Sequence, residues 1–339
     1  MKAILFSALT AGVTAFALTP VAGQLARCVG AIDRPGEARR IHDRPIPRMG
    51  GLAVFIGFCL AVVAFLPEQR RLLPGAAFIT LLGATDDRFG LAPGSKLLGE
   101  LLGAVSALAA GVEIRGLTLG AGTLLLPRGV GIALTLLWIV GMSNALNLLD
   151  GLDGLASGVT AVGCACTLWV SVHIPGGPRA AGAMAALGGA CVGFLPHNRH
   201  PAAIFLGDAG SLLLGYVVAC AAVTGLCKAY TAMAFALPLL IWALPLFDTA
   251  FAIVRRLSRG TSPFRADRRH LHHRLLDAGL SQVQATNVLC CVSAALGLGA
   301  VALASPDAQR VGVAGLLLAC AAFAWRGFWT ARHGNGGSA

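Results

Sequence analysis

Charge is scarce in this chain: only 12% of its residues are Asp, Glu, Lys or Arg, where a soluble globular domain carries roughly 25%. That shortage excludes a soluble domain and points to an integral membrane protein. Aromatic residues are also few, at 6% with two tyrosines, so the interleaved stacking groups that hold single-stranded nucleic acid are lacking. The net charge of +11 is spread over loops with no recognition module, and nucleic acid is not expected as a partner. Cysteine is not scarce, but metal-type spacing is absent. Cys59, Cys164, Cys166, Cys191, Cys220, Cys290, Cys291 and Cys320 sit inside apolar runs as small packing residues.

What the chain has is hydrophobic length. Stretches of about 20 apolar residues centre near Ala11, Phe58, Phe78, Val105, Leu136, Cys166, Ala186, Val218, Leu240, Ala294 and Leu318. In lipid every backbone polar group must be satisfied within its own segment. The expected fold is therefore all-α, a polytopic membrane bundle of about eleven transmembrane helices forming one domain over residues 1–339, with its motifs between 39 and 281. The first run, MKAILFSALTAGVTAFALTPVAG, has signal-peptide features. Its long apolar core and the Arg-rich loop after it favour a retained span.

Lysines and arginines set orientation. With the N-terminus outside and the C-terminus inside, most of them fall in cytoplasmic loops, where they also suit anionic headgroups. Asp86, Asp87, Asp150, Asp153 and Asp208 fall on that same face, as do all histidines but His173. The insertion rule does not demand this of acids. An active site at the inner membrane surface explains it.

The inner loops carry the chemistry. RPGEARRIHDRPIPRMGG offers His42 and arginines, Arg48 among them, whose planar forks suit phosphate; an inside anchor is the plain alternative. In ATDDRFGLAPGSK the adjacent Asp86 and Asp87 repel unless a cation or a shared proton relieves them, and Mg²⁺ takes one or two carboxylates with phosphate oxygens. A solvated helix end is the plain reading. In NALNLLDGLDGLASG, Asn144, Asn147 and Asp150 share a helix face, and two Asp-Gly pairs exceed what a simple turn needs. FLPHNRHPAAIFLGDAGS holds Asn198, and places Asp208 before a helix start, as an N-cap or as a ligand beside the anion-favouring terminus. The loop RRLSRGTSPFRADRRHLHHRLLDAGLS contains His270, His272 and His273 among arginines. Phosphate binding suits that setting better than zinc, since the acids of the inner face have hard-cation character; an amphipathic surface helix is the bland alternative.

Taken in order, RRIHDRPIPRMGGLA, DDRFGL, NALNLLDGLDGLASG, FLGDAGS, LPLFDT and DRRHLHHRLL resemble the polyprenyl-phosphate N-acetylhexosamine-1-phosphate transferase family. The resemblance runs from about Arg39 to Ser281. It implies ten or eleven spans, a cytoplasmic site in the bacterial inner membrane, and transfer of an amino-sugar 1-phosphate from a UDP-sugar to a polyprenyl phosphate, releasing UMP. The implied cofactor is Mg²⁺, with Mn²⁺ as a substitute; a homodimer is compatible.

Carried onto this chain, the resemblance makes Asp86, Asp87 and Asp150 catalytic, Asp86 assisting deprotonation of the lipid phosphate. Asp208 and Asn147 become metal contacts and Asp153 a uracil contact. Lys96, Arg48, Asn144, Asn147, Asn198, His270, His272 and His273 are expected among the substrate contacts. The DRRHLHHRLL and PLFDT runs look more like the N-acetylglucosamine branch than the muramoyl-pentapeptide branch. Glu100 departs from the commoner pattern, where glutamine is frequent. Both a direct attack by lipid phosphate on the β-phosphorus and a two-step route through an aspartyl nucleotide remain open. A secondary transporter would cluster acids near the bilayer midplane, yet only Glu100 and Asp248 fall within spans. A lipid-binding scaffold would tolerate neutralised acids.

Overall fold

Runs of Leu, Ile, Val, Ala and Gly this long close their backbone hydrogen bonds locally in lipid, and the computed structural model is accordingly helical. It describes residues 1–34, 44–119, 122–173, 178–226, 236–260 and 270–304. In chain order these form α1 (Lys2–Val29), β1 (Ile32–Asp33), β2 (Ile46–Pro47), α2 (Gly51–Phe65), a 3₁₀ turn (Pro67–Leu72), α3 (Leu73–Phe89) and α4 (Pro93–Ala109). A hairpin of β3 (Gly116–Leu119) and β4 (Gly122–Leu125) follows, then α5 (Arg128–Leu149), α6 (Leu155–His173), α7 (Pro178–Asn198) and α8 (Gly207–Ala221) with a π-helical extension, Ala222–Leu226. The last described elements are α9 (Ala236–Ile241), α10 (Ala243–Ser258), α11 (Leu271–Asp277) and α12 (Gln282–Ala304).

Local chemistry sets several ends. Gly30 and Gly90 take left-handed backbone, at φ 77° and 68°, to close α1 and α3. Pro93 starts α4, where its missing N–H costs nothing.

Among the described residues, six helical stretches are long and apolar enough to cross a membrane: Lys2–Val29, Arg128–Leu149, Leu155–His173, Ala180–Asn198, Gly207–Gly225 and Gln282–Ala304. The expected spans near Phe58, Phe78 and Val105 are the shorter helices α2, α3 and α4. The one near Leu240 is not a continuous helix: α9 and α10 meet at Trp242. Pro245 has no N–H to return to the carbonyl of Ile241, and the helix restarts. The run near Leu318 lies outside the described residues, as do Arg39, Arg40 and His42 of the first inner loop and the DRR of DRRHLHHRLL.

The axis of the bundle is α8, in which every residue but Asp208 is buried. Glycines let its neighbours approach backbone to backbone, the usual way membrane helices pack without a hydrophobic driving force. A Cβ on Gly51 of α2 would lie 2.0 Å from the nitrogen of Gly210, and one on Gly83 of α3 2.3 Å from the carbonyl of Asp208. On the other side, a Cβ on Gly215 would lie 2.3 Å from Cα of Ser143 in α5. The first two contacts draw α2 and α3 against the start of α8, and the third packs α5 against its middle.

Candidate active site

Backbone pairing builds the site first. β1 and β2 pair antiparallel, Ile32 opposite Pro47 and Asp33 opposite Ile46. The chain after β2 then pairs with the segment entering α8: Phe205 N donates to Pro47 O at 2.9 Å, Gly50 N to Phe205 O at 3.0 Å and Gly51 N to Leu206 O at 2.8 Å. This ladder sets Arg48 beside Asp208, with Nη2 3.7 Å from Oδ1.

The two aspartates at the end of α3 have different surroundings. Asp87 has no exposed side-chain surface. Its Oδ1 accepts the backbone N–H of Asp208 at 2.9 Å, and its Oδ2 that of Ala209 at 3.0 Å. Arg48 Nε stands 3.3 Å from Oδ1. Gly207, at φ +72°, is the only residue type that fits this turn, because a Cβ there would lie 2.5 Å from Asp87 Oδ2. Asp87, expected to be catalytic, clamps the first turn of α8. Asp86 stays partly open, its Oδ1 accepting from Leu91 N at 2.6 Å and its Oδ2 2.9 Å from Lys96 Nζ.

Lys96 is the hub of the cluster. Its ammonium pairs with Asp86 Oδ2, with Asp208 Oδ2, and with Asn147 Oδ1 at 3.2 Å. Asn147 in turn donates to Asp208 Oδ1 at 3.0 Å and to Ser211 Oγ at 2.9 Å. Five expected residues from four sequence regions, Asp86, Lys96, Asn147, Asp208 and Arg48, thus meet at one point. Asn144 lies one turn deeper, its Nδ2 donating to Val140 O at 2.9 Å and to the buried carboxylate of Glu100.

Asp150 follows α5 directly. Burial first, and then the charge of Asp208, push its carboxyl up to about 8, with Arg48 pulling the other way. Asp153 is engaged by His200 Nδ1 at 2.8 Å and by Ala202 N at 3.0 Å. Asn198, expected among the substrate contacts, is only 2% exposed. It accepts from Ser157 Oγ at 2.8 Å and donates to Ile204 O at 3.0 Å, bracing the segment into α8. The histidines form a stack: His270 lies parallel to His272 at 5.9 Å, and His272 tilts against His273 at 4.2 Å. His272 fills the space over Gly151, where a Cβ would lie 2.3 Å from Nε2. Sequence reasoning assigned no role to Asp248, which accepts from Leu271 N at 3.0 Å and meets His270 Nδ1 at 2.8 Å. The signal was an acid within an apolar helix.

The donor chemistry fits a hard divalent cation. The ammonium of Lys96 sits among oxygens of Asp86, Asn147 and Asp208, an all-oxygen set of the kind Mg²⁺ prefers. Among the described residues no group of three or more His, Cys, Asp or Glu forms a closed cage.

A multi-pass helical bundle with a cationic and acidic cluster at one end of its central helix has the makings of a membrane phosphotransfer enzyme. Comparison with known proteins defines it further. The glycosyl transferase family 4 pattern matches residues 70–226. A Bacillus subtilis (strain 168) protein named probable undecaprenyl-phosphate N-acetylglucosaminyl 1-phosphate transferase is 36% identical over 297 residues, covering 86% of this chain and 82% of its own. The decaprenyl-phosphate N-acetylglucosaminephosphotransferase of Mycobacterium tuberculosis (strain ATCC 25618 / H37Rv) is 36% identical, covering 80% and 76%. The undecaprenyl-phosphate alpha-N-acetylglucosaminyl 1-phosphate transferase of Yersinia pestis is 32% identical, covering 81% and 77%. This chain belongs to glycosyl transferase family 4.

Proposed function

We propose that the chain transfers N-acetylglucosamine 1-phosphate from UDP-N-acetylglucosamine to a polyprenyl phosphate such as undecaprenyl phosphate, giving the polyprenyl-diphosphate sugar and UMP. The observation that carries the reading is the meeting of Asp86, Lys96, Asn147 and Asp208 at the entry to α8, in a chain whose similar relatives are named for this transfer. The site faces the cytoplasm of a bacterial inner membrane, with the N-terminus outside. A lipid substrate then enters from the bilayer and a soluble one from the aqueous side.

Phosphoryl transfer needs positioning and charge neutralisation more than covalent help from the protein. A direct displacement suffices: an oxygen of the lipid phosphate bonds to the β-phosphorus, and the bond from that phosphorus to the bridging oxygen breaks, the oxygen leaving with UMP. Asp86 accepts the proton of a singly protonated lipid phosphate. Lys96 and Arg48 offset the charge of the diphosphate, while Asp87 keeps Asp208 and the first turn of α8 in place. Asp208 and Asn147 would hold Mg²⁺, or Mn²⁺ in its place, which when bound neutralises the diphosphate and orients its oxygens. Asp150 and Asp153 border the nucleotide, and the histidine stack borders the sugar diphosphate.

The test is transfer of labelled sugar phosphate from UDP-N-acetylglucosamine to undecaprenyl phosphate by the purified protein with Mg²⁺, beside Asp208→Asn. Lipid-linked product and UMP from the wild type, both lost in the variant, are expected. A folded wild type that makes no product from this donor would overturn the assignment.

A further inference from the structure

Asp248, the one acid of α10, lies outside the acidic cluster. It is 6% exposed, and the histidine it meets is 4% exposed. Two oxygens do two jobs. Oδ1 accepts the backbone N–H of Leu271, the first residue of α11. Oδ2 lies 2.8 Å from His270 Nδ1, a partner 22 residues away.

The second bond has a chemical consequence. An ionised carboxylate can only accept, so the proton of the His270 ring must reside on Nδ1. Nε2 is left as the ring's other polar atom, able to accept a hydrogen bond when neutral or to donate one as imidazolium. A carboxylate behind a functional histidine commonly fixes its tautomer and ring angle in this way, and losing such a partner costs 10- to 100-fold where it has been measured at metal sites. The constraint also propagates. His270 lies within 6° of parallel to His272, and His272 occupies the space over Gly151 in the DGLDG turn. A single carboxylate on α10 thereby registers the histidine stack against the turn that carries Asp150.

We propose that Asp248 is a positioning residue for the transfer reaction, holding His270 so that Nε2 is presented to the diphosphate of the sugar nucleotide and seating His272 on the DGLDG turn. This rests on the transferase reading above. Asp248 touches no substrate itself; it acts through His270.

Asp248→Asn separates its two jobs. The asparagine is isosteric, and its Oδ1 still accepts from Leu271 N. Its Nδ2 then faces Nδ1 of His270 as a donor, which forces the proton onto Nε2. The experiment is a double-mutant cycle of Asp248→Asn and His270→Asn, reading kcat/KM for UDP-N-acetylglucosamine and the melting temperature of each purified protein. Asp248→Asn alone is expected to lower kcat/KM about 10- to 100-fold. In the His270→Asn background the same change is expected to cost less than about twofold, because contacting residues do not add. Asp248→Glu, which keeps the charge, is expected to recover much of the activity.

An equal loss from Asp248→Asn in both backgrounds would reduce Asp248 to a structural residue and overturn the proposal. So would a single variant of unchanged kcat/KM, or failure of both Asp248→Asn and Asp248→Glu to fold, which would make Asp248 a folding residue. A folded wild type without transfer activity would remove the transferase reading itself, an outcome separate from these.

Discussion

Two neighbouring aspartates of identical chemistry divide into a clamp and a partly open acid because their side chains leave α3 in different directions. Asp87 satisfies two backbone donors of α8, so Asp87→Asn must leave one of those N–H groups facing an amide nitrogen. A buried donor left unsatisfied costs about 1–3 kcal/mol. The expected result is a clear fall in melting temperature together with loss of transfer, whereas Asp86→Asn loses transfer with a much smaller thermal penalty. Equal melting temperatures for the two variants would refute the clamp.

His272 makes a second prediction at this scale. Burial first, then the neighbouring His273 and His270, pull it from the ordinary 6.5 down to about 3. Between those values the unfolded chain binds a proton that the folded chain does not. The contribution is therefore complete above pH 6.5 and is lost as pH falls toward 3. Melting temperature measured from pH 7 to 4.5 should fall more steeply for the wild type than for His272→Asn; parallel slopes would show that the ring titrates freely.

Among the elements, glycine decides how closely helices meet. A Cβ on Gly193 of α7 would lie 2.0 Å from the carbonyl of Gly12 in α1, while one on Gly141 of α5 would meet nothing within 4 Å. Gly193→Ala should force α1 and α7 apart at a cost of about 1–3 kcal/mol, and Gly141→Ala should be tolerated. Denaturation of the two variants in detergent checks the contrast. The sequence showed where helices lie, because a long apolar run has few other solutions in lipid, and it showed that Asp86, Lys96, Asn147 and Asp208 share a face. It did not show the break at Trp242, since an apolar run reads as continuous across Pro245. Nor did it show the bonds from Asp87 to the start of α8 or from Asp248 to His270. Those join residues 121 and 22 positions apart, and helical periodicity reports only neighbours along one helix. The bracing bonds of Asn198 were hidden for the same reason: its partners Ser157 and Ile204 belong to other elements.

For the whole molecule, orientation decides which compartment supplies the soluble substrate. α1 leaves the bundle at the end that carries the site: the space beside Gly30 is filled by the guanidinium of Arg88, 3.6 Å from where a Cβ would stand, and Arg88 follows Asp87 directly. Cys28 is exposed at that same end, two residues before Gly30, whereas Cys164, Cys166, Cys191 and Cys220 are buried in the bundle. A variant that keeps Cys28 as its sole cysteine therefore reports the side on which the site lies. The proposed orientation has that end in the cytoplasm, in keeping with the positive-inside rule for Arg27, Arg44, Arg48, Arg88 and Lys96. A membrane-impermeant maleimide should then label Cys28 in inside-out vesicles or permeabilised cells and leave it unlabelled in intact cells. Labelling of intact cells would turn the molecule over. The acidic cluster would then face a compartment without a UDP-sugar supply, and a transferase fed from the cytoplasm would no longer be tenable.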